Sequence, residues 1–416
     1  VGSGLTRAAP LALLAALLVT ACGSGGDTPT TSTPGPSAPS SAVPTAAAGT
    51  ALPPVQVDTV LGELDHPWDV VTAPDGTLLT GERSGSFVAR LPTGERRELE
   101  ADLDDLFASG ETGLMGLALA PDFAMSRKLF SCQGFQDGDT TDVRVVTWTV
   151  DPQWTSLTRT DTLIDGFPVS SGRHGGCRLL VRGGADGQPA TLFIGTGDAA
   201  RPTNAQDPNS LGGKVLRVDA ATGRPGAGNP FGDSPIYTLG HRNVQGLAVR
   251  PGTDAIYSVE HGPTRDDEVN LLAAGANYGW KPDRSSGERS DGRIDSSGRY
   301  DESVPMTDPD RVPGAVSAVW SSGSSTIATA STAFLDDPAW GYWDGALAIG
   351  ALKGERVVLL RLSPDGRTVE AETTVPELDG TVGRIRSVVT QPDGSLLITT
   401  DNGGGEDRIL RVTPQR

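Results

Sequence analysis

Cysteine and histidine are scarce here, three and four in 416 residues, and no CxxC spacing or histidine cluster accompanies them, which argues against a zinc site. Basic residues are also short: 34 Lys and Arg face 52 Asp and Glu, for a net charge of −18. A chain of that sign is a poor start for binding nucleic acid or an anionic membrane surface, so no nucleic-acid partner is expected. The acids fit a soluble exported protein and can feed metal sites. No long stretch of helical period is present, and the apolar run at residues 8–19 is too short for a convincing membrane span.

What that run does fit is an export signal. Arg7 precedes it, and it leads into VTAC, with Cys22 following small residues. Residues 1–21 are therefore expected to be a signal peptide and Cys22 the lipidation point of a lipoprotein, with ordinary secretion and an incidental cysteine as the alternative. The protein would then be extracytoplasmic and touch the membrane through its lipid anchor only. Residues 22–54 are Ser, Thr, Pro, Gly and Ala with almost no charge, a composition that buries too little surface to offset its ordering entropy, and so form a flexible tether. The folded domain is expected over residues 55–416. Its two cysteines, Cys132 and Cys177, favour a disulfide over two free thiols in an oxidising compartment, and the long loop it would close corresponds to about 3 to 4 kcal/mol.

Within that domain a theme recurs. PDGTLLTGERSGSFVARL from Pro74, ADGQPATLFIGTGD from Ala185, PGTDAIYSVEHGP from Pro251 and PDGSLLITTDNGGGEDRILRV from Pro392 each set a turn before a short β-prone run that ends in polar residues. Such turns between short strands predict an all-β architecture, and recurrence every forty to seventy residues or so favours radially arranged blades, a β-propeller, over a sandwich. Loops at one end of the channel would then carry the chemistry.

Three blocks concentrate polar specificity: GHRNVQGLAV at 240–249, EHGPTRDDEVN at 260–270 and GANYGW at 275–280. With HPWDV, GLMGLALAPDFA, RHGGCRL, IGTGD, LAIGALKGERV and GRIRSVVTQPDG, they form an ordered series that resembles the soluble quinoprotein glucose/sorbosone dehydrogenase family, the aldose sugar dehydrogenases. The resemblance runs from about Val55 to Pro414. It implies a six-bladed β-propeller that holds pyrroloquinoline quinone (PQQ) and calcium and oxidises aldose sugars to lactones by hydride transfer, passing electrons to an acceptor the sequence does not identify.

Carried over by motif, His174 is the general base, as suits an imidazole titrating near working pH, and Asp198 the carboxylate that orients it. Arg242 and Asn243 resemble the pair that contacts the quinone oxygens, the guanidinium stabilising charge as the cofactor accepts hydride. Lys353, Arg384 and Arg386 fall where the family places carboxylate-binding bases; the two arginines point to one side by the period of two, and Arg presents a planar fork to carboxylate. Thr326 aligns with a threonine near a PQQ carboxylate only after a shift of several residues. The carbonyls of Gly262 and Pro263 resemble the ligands of the cofactor calcium. Asp267, Glu268 and the backbone of Tyr278 suggest a second, structural calcium, against the plainer reading of an acidic surface turn.

The chain also departs from the family. Glu111 stands where glucose-oxidising members carry Gln, His261 takes a Gln position before Gly262, Arg173 precedes the base where an acid can occur, and Cys177 replaces a glycine. Trp68 reads as core, and Trp320 as either core or a wall for the cofactor. Two other functions fit the same fold, a non-catalytic propeller that binds carbohydrate or a protein partner and a calcium-dependent lactonase. Retention of His174, Arg242, Lys353, Arg384 and Arg386 argues against the first, and the lack of a separate Asn, Asp and Glu cluster against the second.

Overall fold

The computed structural model describes residues 50–184, 189–284 and 299–415. Residues 1–49, which include Cys22 and the expected signal and tether, and residues 185–188 of the second recurring segment lie outside the described residues. Short strands rich in Val, Leu, Ile and Thr form six four-stranded antiparallel blades, the first two joined edge to edge by a short parallel pairing of Glu100 and Ala101 with Ser156 and Leu157. Blade 1 is Pro67–Thr72, Leu78–Glu82, Ser86–Arg90 and Arg96–Ala101; blade 2 is Leu114–Leu119, Lys128–Asp137, Thr140–Val150 and Ser156–Phe167. Blade 3 is Gly176–Arg182, Thr191–Thr196, Lys214–Asp219 and Ile236–Leu239; blade 4 is Val244–Val249, Ile256–Glu260, Glu268–Leu271 and Trp320–Ser321. Blade 5 is Thr329–Phe334, Leu347–Ala351, Arg356–Leu362 and Val369–Thr374. Blade 6 combines Ile385–Thr390, Leu396–Thr400 and Asp407–Pro414 with Val55–Leu64, whose Val55 lies opposite Pro414 and Leu64 opposite Asp407.

The first strand of each blade touches the first strands of both neighbours, and the sixth touches the first, so the ring closes as a six-bladed β-propeller. Closure leaves no free sheet edge around the channel. Apolar residues fill the wedges between blades. Phe130, Val145, Phe167, Leu192 and Ile194 pack between blades 2 and 3, and Trp340, Trp343, Leu359, Val388 and Ile398 between blades 5 and 6. Burying each such side chain contributes about 1.5–3 kcal/mol. Inner strands approach closely: a Cβ on Gly116 would stand 2.1 Å from the carbonyl oxygen of Cys177, so any larger residue would force blades 2 and 3 apart.

Strand order fixes which end can carry chemistry. The recurring Pro/Asp/Gly turns join the first two strands of blades 1, 4 and 6, with Gly76, Gly252 and Gly394 at φ 85°, 71° and 79°, where glycine is cheap. At the opposite end, first strands begin and second strands finish. All six inner strands slip register near that beginning, and the residues skipped in four of them are Trp68, Cys177, Gln245 and Arg386. A bulge of this kind re-aims its side chain, and two of these four, Trp68 and Arg386, meet beside Arg178. Trp68 is buried, as expected of core, with the guanidinium carbons of Arg178 and Arg386 at 4.4 and 5.6 Å from its centroid. Trp320 is core: it packs with Val259, Val358 and Leu360, and its Nε1 donates to Glu372 Oε2 at 2.8 Å.

Candidate active site

His174 sits just before the inner strand of blade 3 and Asp198 just after the second strand, so the same hairpin brings them together. His174 Nδ1 lies 2.8 Å from Asp198 Oδ1, and Asp198 Oδ2 accepts from Trp280 Nε1 and from the Tyr300 hydroxyl, each at 2.7 Å. Burial pushes the Asp198 carboxyl up, but the His174 ring, Arg242 and the Trp280 N–H outweigh it and hold the group below its ordinary value. An ionised Asp198 requires the proton on His174 Nδ1. Nε2 is then the basic nitrogen, and it has no hydrogen-bond partner among the described residues.

The loop from Asp198 to the third strand is held from inside by Lys214. Its ammonium is fully buried and donates to the carbonyls of Asn204, Gly212 and Ala205 at 2.6, 2.8 and 3.2 Å. Asn204 Nδ2 in turn donates to Asp198 O at 2.9 Å. Burial pushes the lysine down to about 7, partly countered by Asp207 and Asp198.

Arg242 and Asn243 lead into the inner strand of blade 4. Arg242 Nη1 donates to His261 O and Nη2 to Glu302 Oε1, both at 2.7 Å, while its buried Nε finds no acceptor among the described residues. Asn243 Oδ1 accepts from Gly176 N at 3.0 Å and its Nδ2 donates to Glu111 Oε2 at 3.0 Å. Burial raises the Glu111 carboxyl, but His174, His261, Asn243 and Arg386 together hold it below its usual range. His261 is pushed down, first by burial and then by Arg242. His241 belongs to the scaffold, with Nδ1 on Glu260, Nε2 2.8 Å from Thr238 Oγ1 and its ring stacked on Tyr278.

Arg384 lies just before the inner strand of blade 6 and Arg386 is its bulged residue, so the contacts they share come from the bulge and not from simple alternation. Both reach Asp401: Arg386 through Nε at 3.0 Å and Nη2 at 2.5 Å to Oδ2, and Arg384 through Nε to the backbone oxygen at 3.0 Å. Arg386 Nη1 also donates to Gln245 Oε1 at 2.9 Å. Since Gln245 is two residues past Asn243, this joins the basic cluster to the His174 hairpin. Lys353 is exposed at the same end, its side chain without a hydrogen bond to any described residue. Thr326 Oγ1 donates to Asp267 Oδ1 at 2.7 Å.

Among the expected calcium ligands, Gly262 O faces its neighbour His261 Nδ1. The Asp267 carboxylate already accepts from Gly262 N, Thr326 Oγ1 and Ile327 N at 2.9, 2.7 and 2.7 Å, so it fastens the 262–267 turn instead of standing beside Glu268. Glu268 Oε1 and Tyr278 O do converge, on Thr307 Oγ1 at 3.0 and 3.2 Å. Burial, then the neighbouring Glu260 carboxylate, push Glu268 up to about 8. Asn270 Oδ1, beside them, is buried without a donor among the described residues. Among the described residues no group of three His, Cys, Asp or Glu stands ready for a metal.

Several site residues escaped the sequence reading. Trp280 was visible as the end of NYGW, yet nothing local marks it as a partner of Asp198. Tyr300 and Glu302 follow a segment with no recognisable motif, and Glu302 Oε1 gathers both Arg242 and Arg173, the latter at 2.9 Å. Cys132 and Cys177 are bonded, tying the second strand of blade 2 to the inner strand of blade 3 three residues from His174. Cys177 has φ 78°, the left-handed region that favours glycine, which gives a physical reason for glycine at this position in the family.

The family described as Glucose / Sorbosone dehydrogenase matches residues 64–411. Aldose sugar dehydrogenase YliI of Escherichia coli (strain K12) is 31% identical over 379 residues, covering 87% of this chain and 93% of that protein. Among solved structures, the PQQ-bound form of aldose sugar dehydrogenase from Streptomyces coelicolor is 30% identical with a TM-score of 0.68, covering 87% of this chain and 99% of the other. The apo-form of the soluble aldose sugar dehydrogenase from Escherichia coli is likewise 30% identical, with a TM-score of 0.71 over 87% of this chain and 100% of the other.

Proposed function

Because the chain belongs to the glucose/sorbosone dehydrogenase family and is a PQQ-dependent sugar dehydrogenase, we propose that it oxidises aldoses at the anomeric carbon with His174 as general base and calcium as a second requirement. The observation that carries this is the hydrogen-bond path from the basic cluster to the imidazole. Arg386 binds Gln245, and two residues earlier Asn243 binds both Glu111 and the backbone N–H of Gly176 beside His174. Cations and base therefore stand at the same end of the propeller.

The residues fit the cofactor. Arg242 Nε is a buried donor lacking an acceptor among the described residues, and Arg384 and Lys353 stand open at the same end. These cations, with Arg386, would hold its carboxylates. When bound, PQQ supplies the two-electron acceptor for the hydride that leaves the sugar. His174 Nε2 would take the hydroxyl proton, and Asp198 would stabilise the imidazolium so formed. Arg242, fixed by Glu302 and His261 O, would set positive charge against the negative charge that grows in the reaction. Glu302 and Arg173 at the mouth would meet the sugar's outer hydroxyls.

For calcium, the carbonyls of Gly262 and Pro263 remain candidates at the cofactor. Glu268, Tyr278 O and the donorless Asn270 Oδ1 make a hard-oxygen set suited to a structural ion. Export and lipidation at Cys22 complete the reading; Cys22→Ala should release the protein from membranes, and membrane retention of that variant would reject the anchor.

Purified apoprotein mixed with PQQ and calcium should reduce a dye with aldoses, and His174→Ala should keep the cofactor but lose turnover. PQQ retained by the wild type without turnover on any aldose would favour a binding protein instead.

A further inference from the structure

Arg83 follows the second strand of blade 1, at the end of the propeller that carries His174. Its backbone is fixed on both sides: the N–H donates to His66 O at 3.1 Å and the carbonyl accepts from Leu114 N at 3.0 Å. Gly113 packs against it so tightly that a Cβ there would lie 2.7 Å from Arg83 Cγ, which fixes the start of the side chain. Yet its guanidinium, with five donors, makes no hydrogen bond to any described residue. It only approaches Asp401, Nη1 to Oδ1 at 4.0 Å, with its side chain 23% exposed.

Asp401 cannot satisfy it. Oδ2 is taken by Nε and Nη2 of Arg386, Oδ1 is held by the His66 ring, and Arg384 Nη2 waits at 4.0 Å. Three guanidiniums thus face one buried carboxylate, with exposed Asp65 the next acid. Burial lowers Arg83, and Arg386 and Arg384 add to this, against the opposite pull of Asp401 and Asp65. Partly desolvated cations in such surplus call for an anion.

We propose that Arg83 is a third arm of the carboxylate clamp, binding a carboxylate of the planar quinone tricarboxylate together with Arg384 and Arg386. The inference rests on the cofactor reading above. Asp401 is the internal counterion that holds the three arms in place, and a bound carboxylate supplies the acceptors that it cannot.

The test is cofactor affinity, measured apart from turnover by titrating PQQ into apoprotein with calcium and following tryptophan quenching. Arg83→Gln should raise the Kd by about 10- to 100-fold, the loss of one charge-assisted hydrogen-bonded pair. Arg83→Lys, which keeps the charge and loses the fork, should fall between. Arg182→Ala, at a half-buried arginine paired with exposed Asp254 at the other end of blade 3, should bind as the wild type does. Equal affinity in Arg83→Gln and wild type would overturn the proposal and leave the cofactor reading standing; a wild type that binds no PQQ would overturn both. If Arg83→Gln fails to fold, judged by its thermal transition, an unchanged Kd in Arg83→Lys would equally reject the third arm.

Discussion

His174 and Asp198 form a sealed pair: the ring nitrogen and the carboxylate oxygen are 2.8 Å apart, and the two side chains are 2% and 0% exposed. With Trp280 and Tyr300 donating to the other carboxylate oxygen, Asp198 has no freedom to choose a partner. The dyad is therefore preorganised.

Asp198→Asn tests that fixation. An amide N–H facing Nδ1 would favour the opposite tautomer and put the proton on Nε2, so kcat should drop by about 10³-fold or more while KM and PQQ affinity change little. Steady-state kinetics beside cofactor titration would separate the effects, and a KM change alone would point to substrate binding instead.

The disulfide should act on stability and on the base together. Closing a loop between residues 45 positions apart corresponds to about 3 to 4 kcal/mol of stabilisation, so a reducing agent should lower the urea midpoint of the wild type. Cys132→Ser with Cys177→Gly loses the crosslink but relieves the left-handed backbone by about 1 kcal/mol. That double variant should be insensitive to reductant and less destabilised than Cys132→Ser with Cys177→Ser.

Acid titration should expose Asp401. Burial alone would raise its carboxyl, but Arg386 and His66 hold it well below the ordinary 3.8. A depressed folded pKa means that its stabilisation is complete above that ordinary value and is lost as pH falls through the lower folded one. Asp401→Asn should cost about 3–5 kcal/mol at pH 7, since it leaves Arg386 buried without its counterion. The gap to wild type in urea unfolding should shrink below about pH 4; a constant gap would show that charge is not the cause.

Calcium removal should be felt at Glu268. Chelation should lower the thermal midpoint of the wild type, and Glu268→Gln should lose most of that calcium response while keeping its Cys132–Cys177 bond. A chelator effect undiminished in Glu268→Gln would place the ion elsewhere.

The fold was legible because its punctuation is local: Pro/Asp/Gly turns and short β-branched runs dictate hairpins, and the ordered motifs supplied the blade count. The placement of His174, Asp198, Arg242 and Arg386 at one end of the propeller was legible because each lies at a strand end within a motif. What was hidden depended on contacts across the ring. Nothing in the sequence near Asp401 or Tyr300 says that one gathers arginines from two blades or that the other caps a carboxylate a hundred residues away. Asp267 misled for the same reason: in sequence it belongs to an acidic triplet, whereas in space backbone N–H groups and Thr326 claim it.

The seam between Val55–Leu64 and Asp407–Pro414 joins the first described strand to the last. Until that pairing forms, blade 6 lacks its outer strand, and Arg384, Arg386 and Asp401 sit on an open arc rather than across from His174. Assembly of the pocket thus depends on one long-range encounter, whose loop closure is costly. A chain whose termini were joined and reopened at an outward hairpin would make that encounter local, and should reach its cofactor-binding state sooner.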